Sequence, residues 1–147
     1  MKPIHYTVAD VPAMWQVAGM MANRFRTQGG VIALRGELGA GKTTLVQGLA
    51  AALGVRQAVT SPTFALVAEY PLPGGRRLVH MDLFRIQGET DLDAIGFDEY
   101  ITPDAIVAIE WPERAGNLLP RETLHVEIAL ADPEGRTRHI TLHQTPP

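Results

Sequence analysis

A chain of 147 residues with 46% hydrophobic and 20% charged side chains has the make-up of one soluble globular domain, long enough to bury a real core. Its formal net charge of −3 excludes a basic nucleic-acid clamp, and the absence of cysteine excludes disulfides and thiol catalysis. No apolar run approaches the ~20 residues of a membrane span, and Met1-Lys2-Pro3 does not lead into a signal peptide's apolar block, so the expected setting is the cytoplasm, with neither membrane nor DNA as a partner.

Taken in order, residues 4–7 alternate weakly, as a short edge strand does. Asp10 is placed to cap a helix, with Pro12 tolerated in its first turn. Val11, Met14, Trp15, Ala18, Ala22 and Phe25 mark one face of that helix, and Gly29-Gly30 is its expected stop. Residues 31–34 read as a buried strand. Leu45, Leu49 and Leu53 then line one face of a second helix that ends at Gly54. Residues 60–63 form a loop, 64–70 a strand, Pro73-Gly74-Gly75 a turn, and 77–82 the partner strand. A short helix over 89–95 closes at Gly96, with one more turn over 98–101. Residues 105–110, five apolar positions ending in a carboxylate, read as a strand buried on both faces. After a proline-rich loop over 112–120, the chain closes with a hairpin of 124–130 and 137–142 around a type I turn, Asp132-Pro133-Glu134-Gly135. No repeat, linker or low-complexity segment divides residues 1–147, which read as a single domain.

The densest chemical signal is Gly36-Glu37-Leu38-Gly39-Ala40-Gly41-Lys42-Thr43, followed by Thr44. It fits the phosphate-loop pattern G-x-x-x-x-G-K-[ST] and lies between a predicted strand and a predicted helix, where the motif must lie to work. Its glycines let the backbone turn tightly and aim N–H groups inward, and the following helix adds its positive end. Lys42 is then placed to reach the β- and γ-phosphates of a nucleotide, and the Thr43 hydroxyl to hold Mg²⁺. Asp82 and Glu110 stand at the ends of apolar strands, where an acid completes a Mg²⁺ shell or orients the attacking water. Thr60-Ser61-Pro62-Thr63 is either a switch that senses the γ-phosphate or an ordinary turn. Arg85 and Arg136 could each meet phosphate, although a lone arginine is more often a surface ion pair. Surface solvation is the default for the pairs Arg76-Arg77 and Arg136/Arg138, and a core position the default for Trp111. The five histidines are scattered, with no pair at metal-ligand spacing.

With the phosphate loop at 36–44, Thr-Ser-Pro-Thr-Phe at 60–64, His-Met-Asp-Leu-Phe-Arg at 80–85 and Ile-Glu-Trp-Pro at 109–112, the chain resembles the TsaE (YjeE) family. These are small bacterial ATPases needed to make threonylcarbamoyladenosine (t6A) in tRNA. The resemblance spans about positions 8–142. It implies an α/β, phosphate-loop NTPase-like three-layer fold with a mixed, mainly parallel central sheet and a C-terminal β-hairpin. It also implies ATP and Mg²⁺ as cofactors, slow hydrolysis by the protein alone, and the TsaD–TsaB heterodimer as partner, with tRNA engaged through that complex. Residue by residue, it implies that Gly36, Gly39, Ala40, Gly41, Lys42, Thr43 and Thr44 wrap the phosphates, with Thr43 and Glu110 on Mg²⁺. Lys42, Asp82 and Glu110 become the catalytic set, Thr63 part of a nucleotide-sensing loop, and Asp10, Val11 and Arg136 neighbours of the nucleotide. Phe84 departs from the family, where a tyrosine is usual, and the hairpin region is divergent.

Three rivals stand beside this reading. A small-molecule kinase would carry an arginine-rich lid and a second substrate pocket, and a GTPase an Asn-Lys-x-Asp segment, none of which is present. A nucleotide-binding switch subunit, whose hydrolysis is incidental, shares every motif and is separable only by assay.

Overall fold

Four apolar strands lying parallel side by side set the frame of the fold. The computed structural model describes residues 2–37, 39–62 and 65–144. Along the chain run β1 (Ile4–Val8), α1 (Val11–Arg24), β2 (Gly30–Arg35), α2 (Lys42–Leu53), β3 (Val67–Pro71) and β4 (Arg77–Asp82). There follow α3 (Glu89–Ile95), α4 (Phe97–Tyr100), β5 (Ala105–Glu110), β6 (Leu124–Leu130) and β7 (Arg138–His143). The strands form one mixed sheet in the order β1-β7-β6-β2-β5-β4-β3. Strands β6, β2, β5 and β4 are mutually parallel; β3 and β7 flank them antiparallel, and β1 pairs antiparallel with β7 at the edge, so that it runs in the direction of the central four. The α/β class, the mainly parallel centre and the C-terminal hairpin agree with the expectation.

Because side chains alternate along a strand, each central strand feeds two apolar layers. Leu78, Ile32, Leu34, Ile106 and Ala108 join α1 and α2 in one layer, while Val79, Met81, Val31, Val107 and Ile109 join Leu92 of α3 and Phe97 of α4 in the other. Helices α1 and α2 pack closely because α2 carries Gly48 at their seam, where a Cβ would stand 2.9 Å from the Trp15 ring. The buried face of α1 differs in part from the predicted one. Met14, Val17, Ala18, Met21 and Ala22 are buried, whereas Val11 and Trp15 are exposed.

Other boundaries also shift for local reasons. Helix α1 ends at Arg24 rather than at the diglycine, because Phe25 leaves helical backbone and its ring presses on Gly30, the first residue of β2. Gly29 serves a close approach to the Pro103 carbonyl, which accepts its N–H at 3.0 Å. Strand β3 begins at Val67 because Leu66 adopts a left-handed φ of 67° and donates its N–H to Pro62, turning the chain first; Phe64, its expected start, lies outside the described residues. The proline-rich loop is a 3₁₀ turn over Pro112–Leu118. The hairpin turn closes with Gly135 N–H on the Asp132 carbonyl, and the Asp132 carboxylate accepts from the N–H groups of Arg136 and Thr137.

On the sheet face away from α1 and α2, strands β2, β6 and β7 carry a polar row. Arg35 meets His125 Nδ1 at 2.7 Å, His125 stacks on His143 at 5.6 Å, and His143 pairs with Glu127 at 3.0 Å. Burial first, then the Arg35 guanidinium and His143, push the His125 imidazole down from 6.5 to about 4, against an opposing pull from Glu127. The folded chain therefore holds His125 neutral where the unfolded chain would protonate it, so stability rises with pH through this window and falls on acidification. Urea denaturation at several pH values should show stability declining from pH 6.5 toward about 4. His125→Gln should remove up to one proton's slope, about 1.4 kcal/mol per pH unit. An unchanged slope in the variant would place the effect elsewhere.

Candidate functional site

Between the end of β2 and the start of α2 the backbone must reverse within a few residues. Gly39 and Gly41 do this with left-handed φ values of 81° and 112°, and at Gly41 a Cβ would also come within 3.1 Å of the Met14 side chain. Gly41 is the N-cap of α2 and, as a glycine, supplies no capping side chain, so the first-turn N–H groups and the helix dipole suit an anion.

Lys42 opens α2 with its side chain folded inward. Its residue is only 6% exposed, its Nζ donates to the Gly36 carbonyl at 2.8 Å, and the ammonium lies 4.7 Å from the Trp111 ring centroid. Trp111 is half-buried rather than core. It takes a left-handed φ of 57°, which is rare for so bulky a residue, and its ring meets Phe84 at 5.0 Å. Thr43 and Thr44 are half-buried beside Lys42.

The parallel pairing of β4 and β5 sets Asp82 directly opposite Glu110. Both are buried, and both lie on the sheet face that bears α2, because Leu78 and Ile106 of the same alternating sets pack there. Asp82 accepts the Phe84 N–H at 3.0 Å; Glu110 Oε2 meets His80 Nε2 at 2.7 Å. The two acids line one cleft of about 640 Å³ together with Gly39, Gly41, Lys42, Thr43, Thr44, Ser61, Phe84 and Trp111. Among the described residues no cluster of three or more His, Asp or Glu side chains could cage a metal alone.

A second cavity of about 130 Å³ shares Gly41 and Thr44 with that cleft and is otherwise lined by Val8, Asp10, Val11, Met14, Arg136 and Arg138. The three positions that the resemblance sets beside the nucleotide, Asp10, Val11 and Arg136, thus meet at the phosphate loop. Asp10 also caps α1, accepting the Ala13 N–H at 2.9 Å. Gly36 and Ala40 line neither space. Their carbonyls instead tie the loop to its supports, Gly36 to Lys42 and Ala40 to Arg138. Arg85 is exposed, and Thr63 lies outside the described residues.

Two residues that the sequence reading passed over shape the site. Arg138, set aside as surface charge, donates through Nε to the Ala40 carbonyl at 2.8 Å, through Nη2 to the Gly39 carbonyl at 3.4 Å, and through Nη1 to the Gly135 carbonyl. It staples the hairpin to the phosphate loop. Nothing in local sequence marks it, since the two segments are about a hundred positions apart. His80 did leave a signal: it stands two residues before Asp82, hence on the same strand face. The Arg76-Arg77 pair is likewise structural, Arg76 bonding the Arg26 and Gln28 carbonyls and Arg77 bonding Glu69.

Chemically, the cleft combines a buried ammonium, a helix N-terminus, a hydroxyl and two facing carboxylates. That set can receive a polyphosphate with a divalent cation and place a carboxylate near an attacking water.

Comparison with known proteins identifies the family. Residues 8–140 match the family model described as threonylcarbamoyl adenosine biosynthesis protein TsaE. The tRNA threonylcarbamoyladenosine biosynthesis protein TsaE of Treponema pallidum is 40% identical over 125 residues, covering 84% of this chain and 89% of that one. Its namesake in Bacillus subtilis is 38% identical over 136 residues, covering 92% and 84%. The crystal structure of Bacillus subtilis YdiB superposes with a TM-score of 0.76 at 30% identity, over 96% of this chain and 84% of that one.

Arg138 holds the carbonyls of residues 39 and 40, and so the orientation of the peptide units that follow them. Arg138→Met should weaken nucleotide binding by about tenfold or more, since hydrogen bonds from a charged donor contribute roughly 1.5–3 kcal/mol. Calorimetric titration with ADP measures this, and an unchanged Kd would show that the staple does not govern the loop.

Proposed function

This chain belongs to the TsaE family of threonylcarbamoyl adenosine biosynthesis proteins, and from that premise we propose that it is a Mg²⁺-dependent ATPase that serves the TsaD–TsaB complex. In this reading, hydrolysis resets the complex between rounds of threonylcarbamoyl transfer to adenosine 37 of tRNA. The observation that carries the proposal is the pair Asp82 and Glu110, set face to face in the cleft that also holds Lys42 and Thr43.

The donor set fits the groups it would receive. A hydroxyl and a carboxylate without a third caging ligand suit a hard cation that takes its remaining oxygens from phosphates and water. Thr43 and Glu110 would hold Mg²⁺, which supplies charge neutralisation across the β- and γ-phosphates. The N–H groups following Gly39 and Gly41 bind the phosphates. Lys42 exchanges the Gly36 carbonyl and the Trp111 face for phosphate oxygens, a trade of weak neutral partners for charged ones. Asp82 and Glu110 position the water that attacks the γ-phosphorus as the bond to the ADP oxygen breaks, and a carboxylate takes the water's proton. The smaller cavity beside Asp10, Val11 and Arg136 receives the base end, and the reading favours adenine because no guanine-reading segment exists.

Lys42→Ala and Thr43→Ala should lose Mg·ATP binding or hydrolysis. Glu110→Gln and Asp82→Asn should bind ATP within about tenfold of the parent, ~1.4 kcal/mol, while turnover falls far more. Equal or tighter binding of GTP in competition would count against the base assignment. In a tRNA-modification assay with the partner proteins and radiolabelled threonine, the acid variants should fail to sustain repeated turnover. Normal multiple-turnover modification by a variant devoid of ATPase activity would sink the enzyme reading, and a nucleotide-binding switch would replace it.

A further inference from the structure

We propose that His80 is a positioning residue that fixes which oxygen of Glu110 faces the nucleotide cleft. The inference rests on the functional reading of Glu110 given above. His80 lies two residues before Asp82 on β4, in register with Ala68 on one neighbouring strand and Ala108 on the other. Those two small side chains leave room for an imidazole where a central strand would otherwise carry an aliphatic residue. The ring is fully buried, and among the described residues its one bond runs from Nε2 to Glu110 Oε2 at 2.7 Å, against a carboxylate only 6% exposed. The other ring nitrogen, Nδ1, is buried without a hydrogen-bond partner among the described residues. A residue serving only to fill the core would not leave a polar atom unpaired there. The burial is accounted for by what Nε2 does.

With Nε2–H donating, Oε2 is committed and Oε1 is the oxygen left to the cleft. A carboxylate ending a strand otherwise rotates broadly about its last torsion, and a metal or water ligand that rotates is a poor one. Hydrogen-bonded partners behind ligating groups commonly alter metal affinity or activity by about 10–100-fold when removed. His80 thus acts through Glu110 and touches no substrate atom.

The test uses the full chain with four single variants and one double. His80→Gln keeps an N–H donor near the Nε2 position, His80→Asn is polar but too short to reach Glu110, and His80→Met keeps bulk without a donor. Thermal melting and metal-free ADP affinity report folding and loop integrity, and these should stay close to the parent. Mn²⁺ affinity of the ADP complex, read by electron paramagnetic resonance, and kcat should each fall about 10–100-fold in His80→Met and His80→Asn, with KM for ATP within about threefold. His80→Gln should recover most of both. On Mn²⁺ affinity, the double variant of His80→Met with Glu110→Gln should be no worse than Glu110→Gln alone, as expected for two residues acting as one unit. Should His80→Met fail to fold, the Gln and Asn pair decides: equal behaviour of the two overturns the proposal. Additive losses in the double variant, or parental kcat and Mn²⁺ affinity in His80→Asn, also overturn it. If Glu110→Gln hydrolyses ATP at the parental rate, the functional reading itself fails. If Glu110→Gln is inactive while His80→Asn is fully active, only the role given to His80 fails.

Discussion

A buried ammonium held, among the described residues, by a carbonyl and an aromatic face is the interaction on which the rest of this molecule turns. Lys42 is 6% exposed and, among the described residues, forms no ion pair with a carboxylate. Removing a charge from water is costly, and a carbonyl with a ring face compensates only part of that cost. The positive end of α2 lies at the same place and adds to the imbalance rather than relieving it. Such a site is electrostatically incomplete until an anion enters, and the two carboxylates across the cleft then give it a second sign to arrange. One cleft thereby brings positive and negative groups together, as a metal-bound polyphosphate requires.

Holding that imbalance in place takes support from well beyond the loop. The Lys42 side chain folds back onto Gly36, while Arg138 reaches from the first residue of β7 to the carbonyls of Gly39 and Ala40. The carboxylate wall has its own backing, since Glu110 leans on His80 and Asp82 accepts the N–H of Phe84. The loop and Glu110 are thus fixed by partners from other segments, Lys42 and Asp82 by partners close in the chain. Precision of this kind comes from rigid elements with supporting hydrogen bonds, not from the loop's own preferences. The same logic explains Trp111, whose left-handed backbone is an unfavourable conformation tolerated where its ring covers the Lys42 ammonium.

Much of the frame was legible in the sequence because it rests on short-range physics. Periodicity placed β2, α2, β4, α3, β5 and the hairpin, since burial on one or two faces writes itself into apolar spacing. The phosphate loop was legible for a related reason: tight turning and close backbone approach demand glycine at set positions, and Gly41 at φ 112° meets that demand. Asp82 and Glu110 could be proposed as strand-end acids, because parallel strands in such sheets deliver their last residues to one edge.

Everything that depended on which segments meet had to wait for the tertiary structure. Trp15 and Phe25 satisfy the helical period equally well, yet Trp15 stays partly exposed with its ring over Gly48 of α2, while Phe25 leaves the helix and is buried against Gly30 of β2. Arg136 and Arg138 look alike in sequence, yet strand pairing brings only Arg138 onto the loop carbonyls. His80 was one more histidine among five until the register of β4 against β5 brought it to the Glu110 carboxylate. The sequence by itself determined the element types and the chemistry of the phosphate loop, because backbone sterics and burial act over a few residues. The selection of partners belonged to the fold, because a hydrogen bond between positions 40 and 138, or 80 and 110, depends on chain crossings that no local pattern encodes.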